Sequence, residues 1–356
     1  MSRLKVASFF SGCGGSDLGI IGGFDYLNKN YPTLPFEIVY AIDNDKYAVE
    51  TYNQNFKHPA VLDDIKNIDK NTIPKFDVLI GGFPCQSFST VNPTKDTNDE
   101  RANLYKELVE IVNLKKPDYF VLENVKGLTT LQKGAILKRV KKDFTDAGYK
   151  VKHKLLLASN FGIPQKRERV FIIGIKDGIK TEYNYPIETH SEKNWEPLKS
   201  VIDSLISPDE KFYFSERAVQ GMKNAKNNMK RGLYQDLEKP CLTITSHLAK
   251  TSLNSRDPVL LVNPEKELYR RFTPREAARI QSFPDSFEFP VSDTQAYRQI
   301  GNAIPPVLMW YVMNSLSKSI SRTKNPTHKV IHINNSHKPA LNPEIPKEYA
   351  FTNAQN

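Results

Sequence analysis

Short apolar runs recur along the first half of the chain, with amphipathic stretches between them. The apolar runs, each typical of a buried strand, are 4–10 (LKVASFF), 36–42 (FEIVYAI), 76–80 (FDVLI), 118–122 (DYFVL), 150–157 and 169–175. Helix-like stretches follow residue 15, begin near Asp45, and cover 103–114 and 133–147. Strands that alternate with helices predict a parallel, doubly wound α/β sheet over about 1–180.

The pattern changes after about residue 185. Segment 186–270 has irregular apolar spacing and many turn residues, which predicts a second, smaller domain. A helix is expected to begin after Thr273, because Pro274 suits the first helical position and Glu276 completes a capping box. Another amphipathic helix is expected over 304–320, and the composition from about 323 onward predicts a loose tail.

Charge and composition exclude several classes of protein. The 356 residues include 50 Lys plus Arg against 40 Asp plus Glu, a net charge of +10 that favours a polyanionic partner. A hydrophobic content of 39% is too high for a wholly disordered chain. No uncharged apolar run approaches the roughly 20 residues that span a bilayer, and the N-terminal stretch runs directly into glycines, so we expect neither a membrane anchor nor a signal peptide. Three cysteines indicate a reducing compartment rather than a disulfide scaffold.

A glycine-rich turn, SGCGGSDLG, follows the first predicted strand. Glycines there allow a tight turn close to a ligand, beside exposed helix N–H groups, but such turns also occur for packing alone. Asp43, at the end of the second strand, is suitably placed to bind ribose hydroxyls. Asp64 has two interpretations, a contact to an adenine amino group or a helix cap.

Cys85 follows the C-terminal end of strand 76–80, at the edge where open α/β sheets bind ligands. Pro84 restricts the backbone before it, and small polar residues after it leave access. A thiol in such a place, near cationic groups, can become a thiolate nucleophile. The alternative is an ordinary, half-buried cysteine.

Two further sets of polar residues adjoin predicted strands. Glu123 directly follows DYFVL and would point into the same crevice as Cys85, unless it is a cap or one half of an ion pair. Alternation places Gln165, Arg167 and Arg169 on one side of their strand. They form either a solvated charge run or a row of donors that faces an anionic or carbonyl-rich substrate.

The remaining candidates are less specific. Gly301 and Asn302 precede a proline-started helix and predict a turn. Cys13 is predicted to pack within the glycine turn, and Cys241 has no base or ligand cluster near it in sequence. No Cys/His set has the spacing of zinc ligands, so we predict no metal site.

In this order, the segments FSGCGG, FPCQSFS, ENV, QKRERV, RRFTPREAARIQSFP and QAYRQIGNAIPP resemble the ordered motifs of the DNA (cytosine-5)-methyltransferase family, in particular prokaryotic restriction–modification enzymes. The resemblance runs from about residue 4 to 316 and skips only the middle segment. It implies a Rossmann-like, S-adenosylmethionine-dependent domain, discontinuous over 1–185 plus 271–322. It also implies a smaller, irregular target recognition domain over 186–270 and a basic, flexible tail over 323–356.

The family's catalytic roles carry over to matching positions. Cys85 would attack carbon-6 of a cytosine, which raises electron density at carbon-5. Glu123 would hydrogen-bond ring nitrogen 3 and the amino group. Arg169, and less directly Arg167, would bind the 2-carbonyl oxygen. Carbon-5 would then take the methyl group from S-adenosylmethionine.

The resemblance also implies two sets of binding residues. The S-adenosylmethionine pocket would comprise Phe10, Ser11, Gly12, Gly14, Gly15, Asp43, Asn44, Asp64, Ile65, Pro84, Leu104 and Asn302. Contacts to DNA would come from Gln86, Ser87, Ser89, Gln165, Thr243 and Thr245. Lys226, Lys230 and Arg231 are added to them because no acid lies between Glu216 and Asp236, where these basic residues cluster. Two positions depart from the family pattern: Ser8 stands where an acid is frequent, and Asn44 stands where a bulkier residue often stacks on adenine.

Other functions stay open at this point. The same chemistry could act on a structured RNA such as transfer RNA, although the length of 186–270 gives groove-reading loops room and favours duplex DNA. A nucleic-acid-binding protein without catalysis would need Cys85 or Glu123 to be missing or misaligned, and both are present. A nicotinamide oxidoreductase would leave Cys85, Glu123 and QKRER unexplained, and the turn lacks G-x-G-x-x-G.

The expected partner is double-stranded DNA, and the expected location is the cytoplasm of a prokaryotic cell, on the nucleoid. We expect a monomer that does not bind membranes and whose cognate restriction endonuclease, if the pair exists, acts separately. Carbon-5 cannot be reached inside a stacked duplex, so the base must be flipped out at a cost of a few kcal/mol. Basic residues that hold the phosphates would offset this cost.

Overall fold

The structure of the chain, a computed structural model, describes residues 3–83, 104–202, 209–225, 234–250 and 258–324. The strands of these ranges are β1 (Leu4–Phe9), β2 (Phe24–Tyr26), β3 (Lys29–Tyr31), β4 (Phe36–Asp43), β5 (Val61–Leu62), β6 (Val78–Gly81), β7 (Tyr119–Val125), β8 (Tyr149–Leu157), β9 (Gln165–Lys166), β10 (Glu168–Lys176), β11 (Cys241–Leu242), β12 (Leu260–Asn263) and β13 (Leu268–Arg270). The α-helices of the same ranges are α1 (Gly15–Ile21), α2 (Lys46–Asn55), α3 (Leu104–Lys115), α4 (Gly127–Thr130), α5 (Ala135–Asp146), α6 (Glu216–Ala225), α7 (Pro274–Ile280), α8 (Asp293–Asn302) and α9 (Pro306–Lys324).

A seven-stranded sheet forms the centre of the fold, in the order β5-β4-β1-β6-β7-β10-β8. The pairs from β5 to β7 are parallel, as the alternation of strands and helices predicts. The predicted doubly wound α/β sheet is confirmed, with one difference at an edge, where β10 runs antiparallel to both β7 and β8. A parallel neighbour needs a crossover connection of a dozen or more residues, whereas only a short connection joins β8 to β10.

Apolar layers cover both faces of this sheet. Successive residues of a strand point to opposite faces, so Val6 and Ala7 belong to different clusters of buried side chains, as do Leu79 and Ile80. Helices α3 and α5 complete one layer, and α9 completes the other. A sheet buried on both faces is what the near-continuous apolar runs predict.

The last helix returns to the start of the chain. A Cβ added to Gly19 of α1 would lie 2.4 Å from the Pro306 carbonyl oxygen at the start of α9. Only glycine permits this approach, so α1 and α9 pack backbone to backbone. The glycine turn that precedes α1 is thereby fixed by residues from the far end of the fold. Of the helices described, none has both the length and the apolarity needed to cross a membrane.

Segments from 198 to 300 form a third apolar cluster, in which Leu198, Cys241 and Ile244 meet Phe272 and Ile300. A small fourth cluster joins α6 to β12 and β13. Strand β11 pairs in parallel with β9, which precedes β10 in the chain. The middle segment is therefore attached directly to the strand that carries QKRER.

The predicted helix start at Thr273 is confirmed. The Thr273 hydroxyl accepts a hydrogen bond from the Glu276 N–H, and the Glu276 carboxylate accepts one from the Thr273 N–H. The prediction of a turn at Gly301 and Asn302 is wrong, because both residues belong to α8. The burial of Ala296, Tyr297 and Ile300 at helical spacing explains why the helix extends that far.

Candidate active site

The carboxyl ends of the parallel strands bring the predicted site residues to one edge of the sheet. The glycine turn follows β1, Asp43 ends β4, Gly82 and Phe83 follow β6, and Glu123 lies near the end of β7. Open α/β sheets bind ligands at this edge. The described members of the set share this edge, while the predicted crevice common to Cys85 and Glu123 stays a prediction, because Cys85 lies outside the described residues.

The glycine turn is bound to Asp43. The Gly12 N–H donates to Asp43 Oδ2 at 2.8 Å, and the Asp45 N–H donates to Asp43 Oδ1 at 2.9 Å. Burial raises the pKa of the Asp43 carboxyl, and these backbone donors oppose the rise. Gly14, with φ +95°, caps α1. The carboxylate thus holds the turn in a fixed conformation next to the N-terminus of α1.

The turn carries an unused polar group that suits a ligand. Ser11 is buried, and its Oγ has no hydrogen-bond partner among the described residues. Phe10 precedes it with φ +55° and is half-buried. A buried hydroxyl without a partner is costly unless a bound molecule or water satisfies it. The residues present therefore fit a polar ligand such as the amino-acid part of S-adenosylmethionine.

Three other predicted cofactor residues, Asn44, Asp64 and Ile65, lie next to the end of β4 and differ in burial. The Asp63 N–H donates to the Asp43 carbonyl at 3.1 Å, which brings the segment with Asp64 and Ile65 beside the end of β4. Asp64 accepts from the Lys66 N–H and does not cap an α-helix, so the interpretation of Asp64 as a helix cap is wrong. Ile65 is buried and Asn44 is exposed.

Residues from later in the chain reach the same place. A Cβ added to Gly15 would lie 2.7 Å from the Ile304 carbonyl oxygen, so the link between α8 and α9 contacts the turn. Asn302, at the end of α8, is exposed, and Leu104, the first residue of α3, is half-buried. Asn302 is therefore two residues from Ile304, whose carbonyl oxygen contacts the turn.

A buried carboxylate that the sequence analysis missed lies beneath the turn. Asp17 accepts from Ser8 Oγ at 2.7 Å, from Tyr52 Oη at 2.8 Å and from Ser16 Oγ at 3.0 Å. Burial raises the pKa of Asp17, and the hydroxyl donors oppose the rise. Ser8, which departs from the family pattern, is thus one of the groups that hold this carboxylate. An acid in the first turn of a predicted helix was the available signal, but it is also an ordinary feature of helix N-termini.

Glu123 forms an ion pair with Arg169 at the centre of the sheet edge. Arg169 Nε lies 3.0 Å from Glu123 Oε1, and 12% of each side chain is exposed. Burial raises the pKa of Glu123, while Arg169 and Arg167 oppose the rise. A carboxyl in this setting can hold a proton at a higher pH than a solvated one.

The strand end before Cys85 lies against the same pair. A Cβ added to Gly82 would be 3.6 Å from Glu123 Oε2. The neighbouring Asn124 donates through Nδ2 to the Phe83 carbonyl oxygen at 2.8 Å. The second residue of the ENV motif therefore fixes the backbone two residues before Cys85.

Several predicted site residues lie outside the described ranges. These are Pro84, Cys85, Gln86, Ser87, Ser89, Lys226, Lys230 and Arg231. Most of the predicted tail, 325–356, lies outside them as well.

The structure places Gln165 and Arg167 inside the protein. Gln165 is fully buried, and Arg167 is 1% exposed. Arg167 donates to the carbonyl oxygens of Ile244, Gly301 and Ala303 at 3.0 to 3.1 Å. Gln165 and Arg167 therefore form neither a solvated charge run nor, with Arg169, a row of donors that faces the substrate, because both join segments inside the protein.

The predicted threonines lie on the same attachment. Thr243 Oγ1 donates to the Lys166 carbonyl at 2.7 Å, and Thr245 Oγ1 accepts from the His247 N–H. Both are half-buried. Burial raises the pKa of the Cys13 thiol to about 12 and raises that of Cys241 as well, so neither is suited to act as a nucleophile. Nowhere in the described ranges do three His, Cys, Asp or Glu side chains gather as a metal site would require.

Comparison with known proteins decides the family. The family model described as C-5 cytosine-specific DNA methylase matches residues 4–318. The chain belongs to the C-5 cytosine-specific DNA methylase family. It is a DNA (cytosine-5-)-methyltransferase of the restriction–modification type, as the sequence resemblance predicts.

Curated relatives agree with this assignment. The chain is 36% identical over 304 residues to the Type II methyltransferase M.NlaX of Neisseria lactamica, a match that covers 84% of this chain and 92% of the relative. It is 34% identical over 336 residues to the Type II methyltransferase M.NgoFVII of Neisseria gonorrhoeae, covering 86% and 84%.

Solved structures share the fold. The Dnmt2 methyltransferase of S. pombe superposes with a TM-score of 0.70 at 22% identity, covering 88% of this chain and 98% of that one. The Entamoeba histolytica methyltransferase EhMeth gives a TM-score of 0.70 at 19% identity, covering 90% and 99%. The fold is therefore the S-adenosylmethionine-dependent methyltransferase fold, with the antiparallel edge strand described above.

Proposed function

We propose that this enzyme transfers a methyl group from S-adenosylmethionine to carbon-5 of one specific cytosine in duplex DNA, after flipping the base and forming a covalent bond between Cys85 and carbon-6. One observation carries the proposal. The buried Glu123–Arg169 pair lies at the carboxyl edge of the sheet against Gly82, three residues before Cys85. Three residues span at most about 11 Å, so a thiol tethered there is within reach of a base bound at the pair.

The thiolate of Cys85 adds to carbon-6, and the ring electrons move to carbon-5, which is otherwise a poor nucleophile. Carbon-5 attacks the methyl group, loses its proton to a base, and the electrons expel the thiolate to restore the aromatic ring. S-adenosylmethionine, when bound, would supply the methyl group and would leave as S-adenosylhomocysteine, whose sulfur keeps the electrons of the broken carbon–sulfur bond. Dividing the reaction at the covalent adduct replaces one difficult step with two easier ones.

Glu123 and Arg169 stabilise the ring during the addition. The raised pKa of Glu123 favours a protonated carboxyl that donates to ring nitrogen 3, while its other oxygen accepts from the amino group. Arg169 binds the 2-carbonyl oxygen and keeps Glu123 oriented through their contact. Donors placed in advance around developing charge act more strongly in a buried site than in water.

The glycine turn and its neighbours are proposed to hold the cofactor. Gly12 and Gly14 bring the backbone close, Ser11 offers its unpaired hydroxyl, and Asp43 holds the turn. The remaining members of this proposed pocket are Phe10, Gly15, Asn44, Asp64, Ile65, Pro84, Leu104 and Asn302.

Segment 186–270 is proposed to read the DNA sequence, and the catalytic domain to comprise 1–185 plus 271–322. The basic residues of segment 186–270, Lys226, Lys230 and Arg231, together with the net charge of +10, support phosphate binding. We further propose that the protein acts as a monomer on the nucleoid of a bacterial cell, where it protects sites from a cognate endonuclease. The bacterial restriction–modification relatives support this part.

Methyl transfer to nucleic acid tests the proposal. Purified full-length protein is given labelled S-adenosylmethionine with duplex DNA and, separately, with transfer RNA. We expect incorporation into DNA, one modified sequence by bisulfite sequencing, and no incorporation with Cys85→Ala. Cys241→Ala, a matched control at a buried cysteine whose side chain lies in the third apolar cluster, retains incorporation. Incorporation that survives Cys85→Ala, or that goes only into RNA, contradicts the proposal.

A further inference from the structure

Gln165 and Arg167 together hold both backbone polar groups of Ile244. Gln165 Oε1 accepts from the Ile244 N–H at 3.1 Å, and Arg167 Nη1 donates to the Ile244 carbonyl at 3.1 Å. The backbone of β11 pairs with β9 immediately before this point, and Thr243 Oγ1 donates to the Lys166 carbonyl. The segment 241–244 is thus attached residue by residue, first through backbone pairing and then through side chains.

The same two side chains bind a second part of the chain. Gln165 Nε2 donates to Gln281 Oε1 at 2.7 Å and to the Ile280 carbonyl at 3.2 Å. Arg167 Nη2 donates to the carbonyls of Gly301 and Ala303, each at 3.0 Å. Segments near 244, 280 and 302 therefore meet at two side chains, one in β9 and one directly after it.

This arrangement is costly for a purely structural contact. Arg167 is 1% exposed, it forms no ion pair with any carboxylate of the described residues, and its Nε lacks a partner there. Buried charges are ordinarily paired, because carbonyl oxygens alone offset only part of the lost hydration. An apolar side chain here would leave three buried carbonyl oxygens without their donor, so the guanidinium joins these segments rather than only filling space.

The place where 165–167, 241–246 and the end of α8 meet, the joint, is closely packed and therefore stiff. A Cβ added to Gly301 would lie 2.2 to 2.3 Å from backbone atoms of Thr245 and Ser246. The end of α8 therefore touches the 244–246 backbone directly. A displacement of that backbone has to move either α8 or the segment 165–167, which leads into β10.

Arg169, which contacts Glu123, lies in β10, two residues after Arg167 in the short break between β9 and β10. We propose that Gln165 and Arg167 are positioning residues of the methyl-transfer reaction, and that they set Arg169 and Glu123 relative to the 241–246 segment of the proposed DNA-reading region. The proposal rests on the proposed function. Engagement of the correct DNA sequence by that region then aligns the catalytic pair, so recognition and chemistry are linked through Ile244.

The test compares full-length Gln165→Met and Arg167→Met with the wild type on duplexes that carry the site found by bisulfite sequencing and its one-base variants. We expect kcat to fall at least 10-fold, with KM for DNA and the Kd for S-adenosylhomocysteine within about threefold. The preference for the correct site over the one-base variants falls as well. Glu168→Gln is the matched control, because its exposed side chain contacts Lys126 on the opposite side of the strand, and it keeps wild-type values.

Two further measurements keep the test decisive. Thr243→Val removes one hydrogen bond of the joint and should still fold if the larger changes do not, and we expect a 3- to 10-fold lower kcat. Hydrogen exchange of intact protein, which needs no substrate, should increase both in peptides over 241–247 and in peptides over 168–171 in Gln165→Met. Unchanged kcat in the folded variants, or faster exchange confined to 241–247, overturns the proposal. A wild type that methylates no DNA contradicts the proposed function instead, and the exchange result then decides the joint separately.

Discussion

Arg169 lies with its Nε 3.0 Å from Glu123 Oε1, and both side chains are almost nine-tenths buried. The pair combines two opposing influences on one carboxyl group. Burial raises the pKa of Glu123, and Arg169, followed by Arg167, lowers it, so the protonation of this group depends on how closely these guanidinium groups approach.

Replacing Arg169 should therefore raise the pKa of Glu123 further. We expect an upward shift with Arg169→Gln and a smaller one with Arg169→Lys, which keeps a charge. Carbon-13 NMR of labelled Glu carboxyls, with the Glu123 signal assigned from Glu123→Gln, measures the shift. The rate of methyl transfer should fall about 10²- to 10³-fold with Arg169→Gln, the usual effect of removing one stabilising donor. A Glu123 pKa that stays constant or falls would contradict this description of the pair.

Asp43 is expected to control cofactor affinity through the glycine turn. Asp43→Ala removes the acceptor of the Gly12 and Asp45 N–H groups. Loss of hydrogen bonds to a charged group costs roughly 1.5–3 kcal/mol, or about 10- to 100-fold in affinity. Calorimetric titration with S-adenosylhomocysteine measures it, with the exposed Asp25→Asn as the control. Equal affinities in the two variants would show that Asp43 does not organise the turn.

Asp17 should make the free energy of unfolding depend on pH. Its pKa is raised in the folded protein, so over the range between the unfolded and folded values the folded state binds more protons. Stability from this group is therefore complete below the unfolded pKa and is lost as pH rises through the folded one. In urea titrations across this range, the free energy of unfolding of the wild type should fall with rising pH. Asp17→Asn should make this fall shallower by up to about 1.4 kcal/mol per pH unit. Asp25→Asn should leave the slope unchanged, and an Asp17→Asn slope equal to wild type would contradict the assignment.

Arg270 and Glu276 form a buried, two-contact ion pair, with both distances 2.7 Å. Removing one partner leaves an unpaired buried charge, so Arg270→Met should cost about 3–5 kcal/mol. The double variant Arg270→Met/Glu276→Leu should lose much less than the sum of the two single changes. Urea denaturation of the four proteins gives the coupling energy. Additive losses would mean that the two side chains stabilise the fold independently.

Much of the sheet could be predicted because its strands are buried on both faces and give continuous apolar runs. The direction of β10 could not be predicted, because apolar residues identify a strand but not whether it lies parallel or antiparallel to its neighbours. The β2–β3 hairpin was missed for another reason. Its turn places Leu27 and Asn28 at φ +46° and +59°, and leucine is a poor signal for a left-handed turn.

Some site residues could likewise be predicted from the sequence and others could not. Glu123 and Asp43 could be found because strand ends of one sheet must meet at one edge. The burial of Gln165 and Arg167 could not be inferred, since alternation along a strand gives a face but not what covers it. Ile244, Gln281 and Gly301 are more than 70 residues away in the chain, and only the tertiary fold brings them to that face.

The contact between Gly19 and Pro306 has a consequence for how the enzyme is made. The turn that we propose to hold the methyl donor is synthesised long before α9, the helix that packs against α1. A nascent chain lacks this contact until α9 has been made, and a chain truncated before α9 should not methylate DNA.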